Sequence, residues 1–387
     1  MKESNSIVYF DNAATSYPKP KPVLDSITDS LHKYGANPGR SGHDFAMTTA
    51  AMIFNSREAV NTFVGSKGAE NICFTLNTTY AVNFALKGVL KRGDHIIISS
   101  FEHNAVFRTV YALSQKGILY DIAQIVPYDT KKTVEQFASK IRPNTKMIAC
   151  MYASNVFGLI FPIDELAKLA KAHGLLFFVD AAQAAGIIPI NMARQNIDYL
   201  CFSPHKGLYC PMGVGVLAIN NDEVIDTLIE GGTGSSSVSP LMPDFLPDRL
   251  EGGTPNTSAI ISIIEGIKFL NEKGIKNIHS KEINMLAEIY DYLLSDNRVI
   301  LYTQRPDLSN HVPVLSFNVK DKDSMEISSL LNEDGICVRA GIHCAPLAHK
   351  SMRTIEVGTV RISPSVFSTK NDVDFLIKSL DKILKKL

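Results

Sequence analysis

Short apolar runs rich in valine, isoleucine and phenylalanine alternate with longer stretches of helical period as far as Ile219. This alternation is typical of β-α-β units around a mostly parallel sheet, so we predict an α/β fold. A representative helix spans Ile163–Ala172, because Pro162 stands at its start and Gly174 follows its end. We predict seven strands, at residues 72–75, 96–99, 118–122, 147–151, 176–179, 199–202 and 214–219.

The pattern changes after Ile219. A glycine- and serine-rich segment from Gly231 to Ser237 is followed by three prolines, and no regular period returns before Asn256, where we predict a domain boundary. Two helical stretches, three short strands and a closing helix from Asp372 then predict a smaller α+β domain. The helical stretches and strands lie at residues 258–270, 277–294, 314–319, 336–339 and 360–363.

The chain has 387 residues, of which 45% are hydrophobic and 20% charged, and this suits a globular protein of two domains. Its 39 basic residues equal its 39 acidic ones, so the charge favours a small-molecule partner over nucleic acid or an anionic membrane. Residues 1–10 include Lys2 and Glu3 and lack the apolar stretch of a secretory signal, so we expect a cytoplasmic protein. Asp180 and Gln183 interrupt the longest apolar run, so we expect no membrane span.

The cysteines and histidines do not form a metal-binding pattern. No C-x-x-C pair and no H-E-x-x-H motif occurs, so we expect neither a disulfide framework nor a metal site. Glycine pairs at 213–215 and 232–234 lack the third glycine of a dinucleotide fingerprint, and no Walker motif is present. We expect most of the six cysteines to be buried thiols. They are Cys73, Cys150, Cys201, Cys210, Cys337 and Cys344.

Polar residues follow two neighbouring predicted strands at the points where these strands end. Asp180 ends one apolar run, and Lys206 lies in the polar cluster Ser203-Pro204-His205-Lys206-Gly207 after the next. Ligands bind at this edge of an open α/β sheet. An acid and a lysine there suit pyridoxal phosphate, whose aldehyde forms an imine with an amine and whose ring nitrogen needs an anionic partner. Asp180 as a turn cap and Lys206 as a solvated surface lysine are the alternatives.

Further motifs accompany this pair in a fixed order along the chain. They are Tyr9-Phe10-Asp11-Asn12-Ala13-Ala14-Thr15, Asn77-Thr78-Thr79, Glu102-His103-Asn104, Asn155-Val156-Phe157-Gly158, Asp180-Ala181-Ala182-Gln183, Ser203-Pro204-His205-Lys206, Gly253-Thr254-Pro255-Asn256 and Arg339-Ala340-Gly341-Ile342-His343-Cys344-Ala345-Pro346. In this order and spacing they resemble the class V aminotransferase family of fold type I pyridoxal phosphate enzymes, and within it the cysteine desulfurases and selenocysteine lyases. The resemblance implies a large cofactor-binding domain at 18–257, a small domain at 258–387 and an N-terminal segment, 1–17, that associates with the small domain.

The resemblance also implies roles for individual residues around pyridoxal 5'-phosphate. Lys206 is the lysine that bonds to the cofactor, Asp180 is the partner of the pyridine nitrogen, and His103 stacks on the ring. Gln183 contacts the phenolic oxygen. The phosphate is held by Thr78, Thr79, Ser203 and His205, and in a homodimer with shared active sites by Thr254 of the second subunit. From the residues alone, His103 as a satisfied half-buried histidine, and Thr79 and Ser203 as turn or cap residues, remain alternatives.

The substrate and the sulfur step rest on the same resemblance. Arg361 matches the arginine that binds the substrate carboxylate, with Asn155 and Asn12 as neighbours, whereas Arg339 serves either the substrate or a structural ion pair. Cys344 lies in a glycine- and proline-containing loop and matches the sulfur-accepting cysteine; a buried thiol is the alternative. The implied reaction converts L-cysteine to L-alanine, leaves a persulfide on Cys344 and passes this sulfur to an acceptor.

The motifs also depart from the family pattern. Asn77-Thr78-Thr79-Tyr80 stands where the family usually has Gly-Thr-Thr-Glu, and Ser203-Pro204-His205-Lys206 where it often has Ser-Gly-His-Lys. Selenocysteine lyase or another lyase that cleaves C–S or C–Se bonds uses the same residues and is the close alternative. A non-catalytic cofactor-binding scaffold or regulator is the alternative from another class. Kynurenine hydrolysis and transamination fit less well, because neither needs a thiol at Cys344.

Overall fold

The computed structural model of the chain describes residues 7–39 and 42–386. The helices are α1 Lys21–Lys33, α2 Asp44–Val64, α3 Thr78–Val89, α4 Asn104–Ser114, α5 Thr130–Ala138, α6 Ile163–Ala172, α7 Met192–Gln195, α8 Thr257–Lys273, α9 Ile275–Leu294, α10 Ser324–Glu333, α11 Pro346–Ser351 and α12 Lys370–Lys386, with a 3₁₀ turn at Ala69–Asn71. The strands are β1 Val8–Tyr9, β2 Ile72–Thr75, β3 His95–Ser99, β4 Leu119–Ala123, β5 Thr145–Met151, β6 Leu176–Asp180, β7 Tyr199–Phe202, β8 Gly215–Ile219, β9 Val299–Leu301, β10 Leu315–Val319, β11 Ile336–Cys337, β12 Arg339–Gly341 and β13 Thr359–Ile362.

A seven-stranded sheet forms the centre of the large domain, in the order β2-β8-β7-β6-β5-β3-β4. The strands from β7 to β4 are parallel, and β8 is antiparallel to both of its neighbours. β2 therefore runs in the same direction as β7, and the carboxyl ends of β2, β3, β5, β6 and β7 lie on one edge. This sheet confirms the predicted α/β fold.

Apolar side chains of successive strand residues enter two separate cores, one on each face of the sheet. Phe177 belongs to one core and Phe178 to the other, and Ile97 and Ile98 divide in the same way. A strand buried on both faces needs apolar side chains at consecutive positions. The runs of phenylalanine and isoleucine in the sequence meet this requirement, which is why the strands could be predicted closely.

The small domain contains a four-stranded antiparallel sheet in the order β12-β13-β10-β9 and a core of its own. The N-terminal strand β1 pairs in parallel with β11, and Val8 and Phe10 enter this core. Strand β11 pairs with β1, whereas β12 pairs with β13. The single strand predicted at 336–339 is therefore wrong in detail, because two different sheets use its two halves and the chain leaves one for the other at Val338.

Helix α8 packs with the large domain. Its apolar residues, among them Ile263 and Leu270, belong to the core on one face of the seven-stranded sheet, and Ile278 at the start of α9 joins them. From Met285 onwards, α9 contributes to the core of the small domain. Residues 258–273, predicted to begin the small domain, thus share the large domain's core, because their apolar face meets α1 and α2. We propose that the boundary lies within α9. Among the described residues, no helix is both long and apolar enough to cross a membrane.

Candidate active site

A cavity of about 230 Å³ opens at the carboxyl edge of the large sheet. Residues at or after the ends of β2, β3, β5, β6 and β7 supply most of its wall, and the N-terminal segment contributes Ala14. The predicted cofactor residues that line it together are Thr78, Thr79, His103, Asp180, Gln183, Ser203, His205 and Lys206, and the predicted substrate residue Asn155 joins them. The fold therefore brings together residues that are distant in the sequence, because parallel strands end on the same side.

Asp180 and Lys206 are the charged pair of this cavity. Asp180 is the last residue of β6 and is buried, and burial raises the pKa of its carboxyl while Lys206 opposes the change. Burial lowers the pKa of Lys206 to about 8, with Asp180 opposing it and Arg361 and Arg339 adding to it. A lysine with a lowered pKa is a competent nucleophile and base near neutral pH. The carboxylate also accepts a hydrogen bond of 2.9 Å from the N–H of Ala182, so the turn-cap role and the cavity role coexist.

Two glycines allow the lysine segment to approach the turn that follows β6. A Cβ atom at Gly207 would lie 2.2 Å from the carbonyl oxygen of Ala185, and one at Gly186 would lie 2.3 Å from the carbonyl oxygen of Gly207. Neither position accommodates a side chain. The contact fixes Lys206 against the segment that carries Asp180 and Gln183.

One end of the cavity is an anion site at the start of α3. Asn77 caps this helix, and its side-chain oxygen accepts from the N–H of Tyr80 at 3.3 Å. The hydroxyl of Ser203 accepts from the N–H of Thr78 at 3.0 Å and lies 2.6 Å from the hydroxyl of Thr78. The N–H of Thr79 has no acceptor among the described residues and lies at the positive end of the helix dipole. Hydroxyls and a helix N-terminus together form a phosphate-binding set.

Neutral histidines line the rest of the cavity. His103 caps α4, where its Nδ1 accepts from the N–H of Ala105 at 3.1 Å, so the proton of the neutral ring lies on Nε2. Burial first, and then the charge of Lys206, lowers the pKa of His103 to about 4. The same two causes lower the pKa of His205 to about 4, and its Nδ1 lies 3.1 Å from the hydroxyl of Thr15. Gln183 donates to the carbonyl of Ala13 at 3.0 Å.

Cys344 lies on an exposed turn beside the cavity, as the loop composition predicts. Both His343 and Cys344 have left-handed backbones, with φ of 51° and 58°. The carbonyl of Cys344 accepts from the N–H of Asn104 at 2.7 Å, and that of His343 accepts from the side chain of Asn155 at 2.8 Å. Since left-handed backbone costs about 1–2 kcal/mol per residue, these two anchors hold a strained turn in place. Four other cysteines are buried and Cys337 is half-buried.

Arg361 is fully buried, and its guanidinium is shared between two elements. One nitrogen donates to the carbonyl of Asn155 at 2.9 Å, and another forms an ion pair with Asp11 at 2.5 Å. Its Nε is buried with no acceptor among the described residues. The predicted neighbour Asn12 bonds elsewhere: its side chain donates to the carbonyl of Ser363 at 2.9 Å and accepts from the N–H of Tyr17 at 3.0 Å.

Arg339 extends the positive charge from Arg361 to the thiol. The two arginines face each other across β12 and β13, and Nη2 of Arg339 lies 4.0 Å from the sulfur of Cys344. Arg339 forms no ion pair with any residue of the described ranges. Its positive charge adds to the lowering of the pKa values of His103 and Lys206, so this guanidinium links the thiol turn to the cavity.

Two site features were not predicted from the sequence, and one predicted residue lies apart. Asp11 pairs with Arg361, and Asn104 anchors the thiol turn, although both stand inside quoted motifs. Their position next to Asn12 and His103 is the only sequence signal for them. Thr254 is exposed, accepts from Asn37 at 3.3 Å and lies outside the 230 Å³ cavity of its own chain.

These residues fit pyridoxal phosphate. A buried carboxylate, a lysine of lowered pKa, a capping histidine and a helix N-terminus match the ring nitrogen, aldehyde, ring face and phosphate of that cofactor. The described part of the chain contains no group of three or more histidine, cysteine or acidic side chains placed to hold a metal. Fold and site together define the class: a pyridoxal phosphate enzyme with a mostly parallel sheet and an exposed thiol beside its cavity.

Comparisons with known proteins assign the family. Residues 8–376 match the model of the family Aminotransferase class-V, and the chain belongs to that family. A probable cysteine desulfurase of Pyrococcus abyssi is 31% identical, with 99% of this chain and 96% of the relative covered. One of Borreliella burgdorferi is 31% identical, with 100% and 93% covered. An apo cysteine desulfurase structure from Thermococcus onnurineus superimposes with a TM-score of 0.90 at 31% identity, covering 99% and 96% of the two chains.

Proposed function

We propose that this protein is a pyridoxal phosphate-dependent cysteine desulfurase that converts L-cysteine to L-alanine and receives the sulfur on Cys344. The observation that carries the proposal is the anchored thiol: Cys344 is exposed, and its own carbonyl is bonded to α4, the helix that His103 caps. Transamination needs no thiol at this position, so a buried cysteine would be just as compatible with that reaction. Relatives named cysteine desulfurase, similar over nearly the whole length, support the same activity.

Different residues of the cavity are suited to hold different parts of the cofactor. When bound, pyridoxal phosphate supplies the electron sink that allows bonds next to the amino-acid α-carbon to break. Asp180 offers its carboxylate to the ring nitrogen, and the hydroxyls and N–H groups at the start of α3 hold the phosphate. His103, a neutral imidazole since its pKa lies near 4, would hold the ring face. Lys206 would hold the cofactor through its aldehyde, and its amine, of pKa about 8, would serve as the base that moves the α-proton.

The substrate is held by its carboxylate and attacked at its sulfur. Arg361 provides donors at the boundary of the two domains, where the carbonyl of Asn155 accepts from one of its nitrogens and its buried Nε is free to donate. The Cys344 sulfur takes the substrate sulfur, so L-cysteine plus the Cys344 thiol becomes L-alanine plus a Cys344 persulfide. The exposed turn then offers this persulfide to a sulfur acceptor in solution. All six cysteines are free, which suits the reducing cytoplasm.

The active enzyme is proposed to be a homodimer in which Thr254 completes the phosphate site of the second subunit. Thr254 lies between two surface grooves whose walls include the exposed apolar side chains of Phe54, Leu76 and Tyr80. Exposed apolar side chains concentrated in this way mark a protein interface. Sedimentation analysis is expected to give twice the chain mass, and Thr254→Ala to weaken cofactor binding. A monomer with full cofactor affinity would contradict the shared site.

The experiment that tests the function is alanine release from L-cysteine by the cofactor-loaded protein with a reductant present. The native chain is expected to form alanine, and Lys206→Ala and Cys344→Ala to form none. Cys337→Ala, which removes a half-buried thiol from β11, is the matched control and is expected to keep its activity. A native protein that shows cofactor absorbance but forms no alanine would overturn the desulfurase proposal and favour selenocysteine or a scaffold role.

A further inference from the structure

A second, smaller cavity lies on the other side of the lysine. It encloses about 40 Å³, and Lys206, Ala182 and Gln183 line both this cavity and the larger one. A space of this size holds about two or three water molecules. Its walls include the polar residues Asn12 and Ser365, so water there finds hydrogen-bond partners.

The far wall of this small cavity carries a buried acid that the desulfurase reaction has not used. Glu282 lies on α9, where the helix passes from the large to the small core, and it is 1% exposed. One carboxyl oxygen accepts from the hydroxyl of Tyr209 at 3.3 Å, and the other has no partner in the described ranges. Tyr209 itself stands three positions after Lys206 and lines the same cavity. Glu282, Tyr209 and Lys206 thus line one water-sized space.

Burial keeps a proton on Glu282. It raises the pKa of Glu282 to about 8, while the Tyr209 hydroxyl and the charge of Lys281 oppose this only in part. Lys281, its neighbour on α9, donates to the carbonyl of Val366 at 2.6 Å. Across the cavity, the pKa of Lys206 also lies near 8. Two groups of similar proton affinity can exchange a proton at little cost in free energy.

We propose that Glu282 is the proton-exchange partner of Lys206, acting through water in the small cavity. The proposal rests on the proposed function, because it concerns the proton that Lys206 takes from the substrate. The exchange balances: the ammonium of Lys206, which carries the proton taken from the substrate, passes that proton along the water to Glu282, while the carboxylic acid of Glu282 passes its own proton back to Lys206. Both groups keep their charge. Tyr209 orients the carboxyl group and is a positioning residue.

Isotope partitioning tests the exchange. With L-cysteine deuterated at the α-carbon in ordinary water, the native enzyme is expected to lose the deuteron and form alanine with little label. Glu282→Gln is expected to retain several-fold more deuterium in alanine, Tyr209→Phe to show an intermediate increase, and Glu282→Asp to restore washout partly. A purely structural role slows turnover without changing the retained fraction. Tyr199→Phe is the matched control, because Tyr199 is buried and bonds Asn221 away from both cavities.

The outcomes separate the two proposals. An unchanged label fraction in a Glu282→Gln enzyme that still forms alanine would overturn the exchange role; if that variant does not fold, Tyr209→Phe decides in the same way. The proton on Glu282 is measured without cofactor: the infrared band of a protonated carboxyl group at neutral pH is expected to weaken in Glu282→Gln, and an unchanged band would contradict the proposal. If the band weakens in Glu282→Gln but the native chain forms no alanine, the desulfurase function is refuted and the protonated state of Glu282 is still supported.

Discussion

The N–H of Asn104 donates a hydrogen bond of 2.7 Å to the carbonyl oxygen of Cys344. Asn104 is the first residue of α4, and His103 before it caps the helix and lines the cavity. The thiol turn and the histidine that lines the cavity are therefore fixed to the same helix end. The bond determines where the thiol turn stands relative to the cavity, although its two partners are 240 positions apart in the sequence.

Asn104→Pro removes this bond while preserving the helix. Proline is well tolerated at the first position of a helix, and His103 has φ of −65° and ψ of 154°, which suits a residue before proline. Loss of one hydrogen bond of about 1 kcal/mol is expected to lower kcat for alanine formation about fivefold. Cofactor absorbance is expected to stay unchanged. Asn104→Ala, which retains the N–H, is the control, and equal activity of the two variants would show that the bond is dispensable.

Arg361→Lys separates charge from geometry at the substrate site. Lysine keeps the positive charge but cannot donate to Asn155 and Asp11 at once and offer a third nitrogen. We expect the KM for L-cysteine to rise about tenfold or more, and the melting temperature to fall, since a buried ion pair loses its geometry. Steady-state kinetics and thermal unfolding measure the two effects. Arg305→Lys, at an exposed ion pair with Asp291, is the control and is expected to change neither KM nor the melting temperature. An unaltered KM in Arg361→Lys would show that Arg361 does not bind the substrate.

Thr79→Ala tests the anion site at the start of α3. The hydroxyl is lost, while the N–H groups and the cap at Asn77 remain. We expect cofactor affinity to fall about 10- to 100-fold, the equivalent of one hydrogen bond of about 1.5–3 kcal/mol to a charged group. Equilibrium titration followed by absorbance gives the dissociation constant. Thr130→Ala, at the exposed first position of α5, is the control. Equal affinity in both variants would place the phosphate elsewhere.

The buried carboxyl group of Glu102 is expected to make the stability of the folded protein depend on pH. Burial raises the pKa of this carboxyl to about 8, and one of its oxygens has no partner among the described residues. Because the folded protein binds this proton more tightly than the unfolded chain, whose pKa is about 4.3, Glu102 makes stability fall as the pH rises from about 4.5 to 8.

Glu102→Gln removes this dependence. Its amide oxygen can still accept from Ser99 and Met151, the two donors that Glu102 has. The free energy of unfolding of Glu102→Gln minus that of the native protein is expected to increase by a few kcal/mol between pH 5 and 8 and then level off. Urea unfolding at several pH values measures it. A flat difference contradicts the prediction, and Glu70→Gln, at an exposed acid, serves as the reference.

Local sequence patterns predicted most of the fold because they report on short-range physics. Consecutive apolar residues such as Phe177 and Phe178 require burial on both faces, and this requirement is visible without any knowledge of the neighbouring strands. The same holds for Asp180 and for the polar cluster at Ser203. Strand direction alone then brought these positions to one edge and into one cavity.

Packing between distant segments could not be predicted in this way. The predicted strand at 336–339 is divided at Val338 because its first half, β11, pairs with β1. Helix α8 belongs to the large core because its apolar face packs against α1 and α2. The bond by which Asn12 joins the N-terminal segment to Ser363 could not be predicted either. Such outcomes depend on which surfaces meet, and no local period encodes that.

The sequence by itself determined the α/β class, the strands of the large sheet and the identity of most cavity residues, since each follows from a local pattern or motif. Only the tertiary structure decided that Asp11 holds Arg361 across 350 positions, that Asn104 anchors Cys344, and that Glu282 stands behind Lys206. The physical reason is that hydrogen bonds and ion pairs require atoms to meet within a few ångströms. Only the packed chain brings such distant residues that close.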